Sequence, residues 1–201
     1  IRINIMGSKI EQIKGVIAES IRVKNEILNN PEMIAKCEEI AMKIADAFRQ
    51  DKKVLFCGNG GSAADAQHLA AEFSGRFYFD RPPLDAEALH VNSSYVTAVG
   101  NDYGYDQVFS RVLKAKGRQG DFIFGISTSG NSENILKAFE VARERGMIIV
   151  AMTGASGGKM KDNCDYLINV PSSDTPRIQE SHIMLGHIIC ELVEAELFER
   201  P

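Results

Sequence analysis

The stretch Phe122-Ile-Phe-Gly-Ile-Ser-Thr-Ser-Gly-Asn-Ser132 is an apolar run that ends abruptly in hydroxyls, a glycine and an asparagine. The run reads as a buried strand. Behind it, Glu133 to Arg145 has helical spacing, with Ile135, Leu136, Phe139, Val141 and Ala142 on one broad face. A turn that opens a helix gathers free backbone N–H groups and about half a positive charge. Ser127, Thr128, Ser129 and Ser132 would surround a phosphate placed there. One Ser or Asn suffices to cap a helix, so this many hydroxyls point beyond capping to anion binding.

Outward from this turn the same grammar repeats. Short apolar runs at Val54–Cys57, Ala86–Val91, Phe122–Ile126, Ile148–Met152 and Tyr166–Val170 alternate with helical stretches. Such alternation predicts an α/β fold with a parallel sheet covered by helices on both faces and ligands at the carboxyl ends of the strands. Two amphipathic helices precede the first strand. Lys9 to Leu28 carries Ile10, Ile13, Ile17, Ile21 and Leu28, and the second helix starts at Pro31 behind an Asn30 cap, with Ile34, Cys37, Ile40, Ala41, Ile44 and Phe48. Their apolar faces exceed what one small sheet covers, and self-association is the economical answer. The last helix, about Arg177 to Phe198, is apolar nearly all round and is expected to be buried on the sheet and in a subunit interface, the alternative being a wholly intramolecular position.

Composition narrows the classes. A chain of 201 residues is long enough for one full core, so one domain is expected over 1–201. The net charge of −4 without blocks of like charge argues against nucleic acid, and an anionic substrate would have to be attracted locally. Cys37, Cys57, Cys164 and Cys190 have no paired spacing, and neither a secretory segment nor a membrane span is evident, which favours a reducing cytoplasm. The first few residues, opening at Ile1, read as an addition outside the fold.

Chemistry-bearing residues fall just after strands and on two helices. Gly58-Asn-Gly-Gly-Ser62 follows the first strand and opens a helix, a second turn suited to an anion or a sugar. On that helix His68 and Glu72 are one turn apart on one face, able to share a metal, to act as acid and base, or to form a simple surface pair. The apolar last helix carries Gln179, Glu180, His182, His187 and Glu191. An unpartnered imidazole there would cost about 1–3 kcal/mol, and spacing does not choose between His182 and His187 as the functional one.

The combination of Cys57-Gly-Asn-Gly-Gly-Ser62, Gly100-Asn-Asp102, Gly125-Ile-Ser-Thr-Ser-Gly-Asn-Ser132 and Arg177-Ile-Gln-Glu180 resembles the sugar isomerase (SIS) domain family, and within it the isomerases of seven-carbon sugar phosphates. The resemblance covers nearly the whole chain. It implies a three-layer sandwich whose five-stranded parallel sheet has flavodoxin-like order, with residues 1–50 as a helical extension and 51–201 as the α/β core. It also implies a homotetramer with active sites at subunit interfaces, acting on sedoheptulose 7-phosphate and D-glycero-D-manno-heptose 7-phosphate on the route to bacterial envelope polysaccharide. Carried over by position, Ser127, Thr128, Ser129 and Ser132 hold the phosphate, while Asn59, Gly60, Gly61, Asn101, Asp102, Glu72 and Gln179 contact substrate. Glu72 and His187 are the acid–base pair, and His68, Glu72, Gln179 and His187 hold one zinc per subunit. One tension is geometric: Gln179 and His187 are eight residues apart, about 12 Å along a straight helix. The rival class is a non-catalytic SIS protein that binds phosphosugars or the bacterial replication initiator, which needs the phosphate loop but not the acid–base pair.

Overall fold

The computed structural model describes residues 8–200, so the reading of the first few residues lies outside the described ones. Two helices lead the chain, α1 (Lys9–Leu28) and α2 (Pro31–Arg49), each started by a side-chain cap: Ser8 accepts from the Glu11 N–H and Asn30 from the Met33 N–H. The alternating part follows as β1 (Val54–Gly58), α3 (Gly61–Ser74), β2 (Ala86–Ala88), α4 (Ser93–Tyr103), α5 (Val108–Lys116), β3 (Phe122–Ser127), α6 (Glu133–Glu144), β4 (Ile148–Thr153), β5 (Tyr166–Asn169) and α7 (Thr175–Leu197).

The sheet is parallel throughout, in the order β2-β1-β3-β4-β5, the flavodoxin-like order expected. Side chains of each central strand alternate between two cores. Val54, Phe56, Phe122, Phe124, Ile126, Val150 and Met152 face a core shared with α1, α2, α3 and α7, while Leu55, Cys57, Ile123, Ile149 and Ala151 face one shared with α4, α5 and α6. Phe56 and Phe124 stack across neighbouring strands at 5.0 Å. Burial on both faces explains why these strands read as unbroken apolar runs.

The second strand is shorter than the run Ala86–Val91 predicts. Pairing ends when the Leu89 N–H donates to the Phe56 carbonyl, and the Val91 N–H turns back to the Ala88 carbonyl. Asn92 then caps α4 by accepting from the Tyr95 N–H, so the end of the apolar run serves a turn at a sheet edge. On α1 it is Val23 and Ile27 that are buried, whereas Ile10, Ile13, Ile17 and Ile21 stay more than half exposed. The apolar stripe that identified this helix is therefore the face it leaves uncovered.

Candidate active site

Both candidate ligand turns sit where the strand order reverses, at the carboxyl ends of β1 and β3. Gly58, Gly60 and Gly61 are dictated by space and backbone: a Cβ at Gly58 would lie 2.4 Å from the Ser62 carbonyl oxygen, and Gly60 has φ +56°. At Gly61 a Cβ would lie 2.5 Å from Nε2 of Gln179. The Asn59 amide exchanges two hydrogen bonds with buried Asn134 on α6, at 3.0 and 2.9 Å, and accepts a third from the Tyr105 hydroxyl at 3.1 Å. This amide pair locks the glycine turn to the hydroxyl turn. Asn134 and Tyr105 did not stand out in the sequence because neither belongs to a glycine or serine motif.

In the second turn the Ser127 hydroxyl lies 2.8 Å from that of Ser132 and 3.4 Å from that of Ser129. Ser132 occupies the N-cap of α6, yet its side chain makes no capping hydrogen bond. Thr128 anchors the turn through its carbonyl, which accepts from the Gly154 N–H. Gly130, at φ +66°, lets the chain pass Gly157, whose carbonyl oxygen a Cβ would meet at 2.2 Å. The serine hydroxyls thus face one another at a helix start with its first N–H groups free of intrahelical partners, the arrangement that holds an anion. Asn101 and Asp102, at the end of α4, are exposed, and the Asn101 amide donates to the Asp102 carboxylate at 2.9 Å.

A second cluster forms where α3 and α7 run side by side. His68 Nε2 is 3.0 Å from Glu72 Oε1, the His68 and His187 rings are 4.8 Å apart, and one ligand atom from each of His68, Glu72 and His187 fits within 4.8 Å of the others. His187 Nε2 is buried and has no hydrogen-bond partner. Burial, aided by the neighbouring His68 ring, holds the His187 pKa below the usual histidine value against the pull of Glu72. Two imidazole nitrogen donors, one of them the orphaned His187 Nε2, and a carboxylate suit a zinc ion. Asp65, one turn before His68, adds a buried unpartnered Oδ2, and burial lifts its pKa to about 6.

The two histidines of α7 have different surroundings. His182 is fully buried, its Nε2–H donates to the Thr153 carbonyl at 3.0 Å, and burial lowers its pKa to about 4. It is a core residue facing the sheet. Gln179 is set against Gly61, at the start of α3, and so lies toward the glycine turn rather than beside His187, eight residues further along α7.

The SIS domain model matches residues 17–154. The chain is 56% identical over 188 residues to a phosphoheptose isomerase of Aneurinibacillus thermoaerophilus, covering 94% of this chain and 95% of that one. It belongs to the SIS domain family. Phosphoheptose isomerase 2 of Campylobacter jejuni is 53% identical, with 92% of each chain covered. Among solved structures, the phosphoheptose isomerase GmhA of Neisseria gonorrhoeae superposes on this SIS chain with a TM-score of 0.88 at 44% identity, over 94% of this chain and all of that one.

Proposed function

We infer that this chain is a phosphoheptose isomerase that interconverts sedoheptulose 7-phosphate and D-glycero-D-manno-heptose 7-phosphate. The observation that carries the reading is the cluster of Glu72 with two imidazoles, in a chain that also holds a phosphate-suited turn and is more than half identical to proteins of that activity. A non-catalytic phosphosugar binder has no use for that cluster.

Aldose–ketose exchange moves one proton between C1 and C2 through an enediol. In the ketose-to-aldose direction the Glu72 carboxylate takes a C1 proton while an N–H of His187 hydrogen-bonds to the C2 oxygen and protonates it as the carbonyl π electrons shift onto oxygen. Glu72 then returns its proton to C2, and the O1 proton leaves to His187 as the aldehyde forms. Ser127, Thr128, Ser129 and Ser132 hold the phosphate remote from the reacting carbons, and Asn59, Gly60, Gly61, Asn101, Asp102 and Gln179 line the sugar. His68, Glu72 and His187 would hold a zinc ion, which supplies Lewis acidity toward the substrate carbonyl oxygen.

Residues 1–201 are read as one SIS domain, working as a homotetramer in a reducing cytoplasm that suits four free cysteines. Geometry supports sites shared between subunits. Glu72 lies eleven residues past Gly61, about 16 Å down α3 from the glycine turn. Its own phosphate turn is thus at the far end of the helix. A neighbouring subunit that brought its phosphate turn, glycine turn and Gln179 to this cluster would remove the mismatch, and its Gln179 would join His68, Glu72 and His187 in holding zinc.

The direct test incubates purified protein with sedoheptulose 7-phosphate and follows the aldose product by NMR, with zinc measured by elemental analysis. Steady formation of the aldose is expected, with zinc retained in His182→Ala and lost in His187→Ala. Absence of aldose from folded, zinc-supplemented protein refutes the activity.

A further inference from the structure

Arg81 lies in the segment between α3 and β2, and its guanidinium is buried. Its Nη1 donates to the carbonyls of Phe73 at 2.7 Å, Gly75 at 3.2 Å and Pro82 at 3.1 Å, and its Nη2 to the carbonyl of Glu72 at 2.8 Å. These include carbonyls at the end of α3 that a helix leaves without intrahelical partners. A cation at this end also complements the helix dipole, and α3 has no basic residue of its own in its last turn. Arg81 is thus a C-terminal cap delivered from beyond the helix, and it grips the peptide of Glu72 itself.

The other side of the guanidinium is held by α7. Arg81 Nε donates to Glu194 Oε1 at 3.0 Å, and the carboxylate also accepts from the backbone N–H groups of Phe77 at 3.0 Å and Tyr78 at 2.8 Å. Both side chains of the pair are 2% exposed. Glu194 is seven residues after His187, two turns along the same face of α7. Phe77, which donates to Glu194 through its backbone, also sets its ring 5.8 Å from that of His187.

A buried ion pair contributes little net stability over an apolar replacement of the same shape. What this one does is connect the backbone of Glu72 to the helix that carries His187. We propose that Arg81 and Glu194 are positioning residues for the reaction, fixing the separation and phase of Glu72 and His187. The inference rests on the acid–base reading of those two groups.

The test uses the full chain carrying Arg81→Lys, which keeps the charge and loses the planar fork, or Glu194→Gln, which keeps one acceptor and loses the charge. Melting temperature, kcat and KM for sedoheptulose 7-phosphate, and NMR of histidine-selectively labelled protein are compared with wild type. Both variants should remain folded, with KM within about twofold and kcat lowered about tenfold or more, the range seen when outer partners of a site are lost. The ring signals of His68 and His187 should shift while that of His182, bonded to the sheet, stays. Wild-type kcat with unmoved ring signals in a folded variant overturns the inference, and so does loss of the fold in both variants, which would assign the pair to structure alone. Glu72→Gln measured alongside separates the two claims. If it is inactive while Arg81→Lys is normal, only the positioning role fails; if it turns over normally, the acid–base reading falls and takes this inference with it.

Discussion

In the proposed mechanism Glu72 is the residue on which the chemistry turns. Replacing it by Gln preserves size and one acceptor but removes the group that accepts a proton from carbon. Steady-state kinetics of Glu72→Gln should show kcat lower by about 10² or more with KM little changed, since general base catalysis is worth at least that much; turnover within about threefold of wild type would place the base elsewhere. His182 makes a different prediction. Burial lowers its pKa to about 4 in the folded chain, against about 6.5 when unfolded, so between those values the unfolded state binds the extra proton. Stability is fully present above about pH 6.5 and declines as pH falls toward 4, by an amount on the order of 3 kcal/mol. Melting curves of wild type and His182→Gln between pH 7 and 5 check this: the wild-type decline should be the steeper, and equal slopes would assign the acid sensitivity to other groups.

At the scale of elements, the contact between α3 and α7 governs the site. The helices run parallel, with Gln179 at Gly61, Gly186 at Leu69 and His187 at His68. A Cβ at Gly186 would stand 2.5 Å from Leu69 Cδ2, so the helices touch there because α7 offers no side chain. Gly186→Ala relieves a helical glycine penalty of roughly 1 kcal/mol but forces the pair apart, and overpacking costs typically 1–3 kcal/mol. A lower melting temperature is expected, together with weaker zinc retention as His68 and His187 separate. An unchanged melting temperature would show that Leu69 can move aside freely. The hydroxyl turn, ordered within itself by the Ser127–Ser132 contact, is tied to the glycine turn by the Asn59–Asn134 pair, which joins the end of β1 to the start of α6.

For the whole molecule, the proposed tetramer, whose subunits complete one another's sites, would account together for the exposed Ile10, Ile13, Ile17 and Ile21 of α1 and for the distance between Glu72 and its own glycine turn. Light scattering should return about four times the chain mass of 22.1 kDa. Mixing is the sharper experiment. Glu72→Gln subunits and Ser129→Ala/Ser132→Ala subunits, each impaired alone, should regain activity when unfolded and refolded together, because some interfaces then pair an intact cluster with an intact phosphate turn. Failure of the mixture, with mixed tetramers demonstrated by mass, would confine each site to one subunit.

Much of this was legible in the chain. Strands buried on both faces must be apolar throughout, so Val54–Cys57, Phe122–Ile126 and Ile148–Met152 announced a parallel sheet, and Asn30 announced a helix start because its side chain caps locally. The serine turn and the His68–Glu72 pair were visible for the same reason: their partners lie within a turn of chain. Sequence spacing could not tell the end of β2 from the turn beyond it, since Leu89 and Val91 are apolar in either role. Nor could it choose between His182 and His187, which differ only in what the fold sets against them, the Thr153 carbonyl for one and the His68 ring for the other. Arg81 and Glu194 were equally silent, because two charges 113 positions apart become a single clamp only after α3 and α7 have packed. Local hydrogen bonding and periodic burial are written in neighbouring residues, whereas the pairing of distant polar groups is settled by packing.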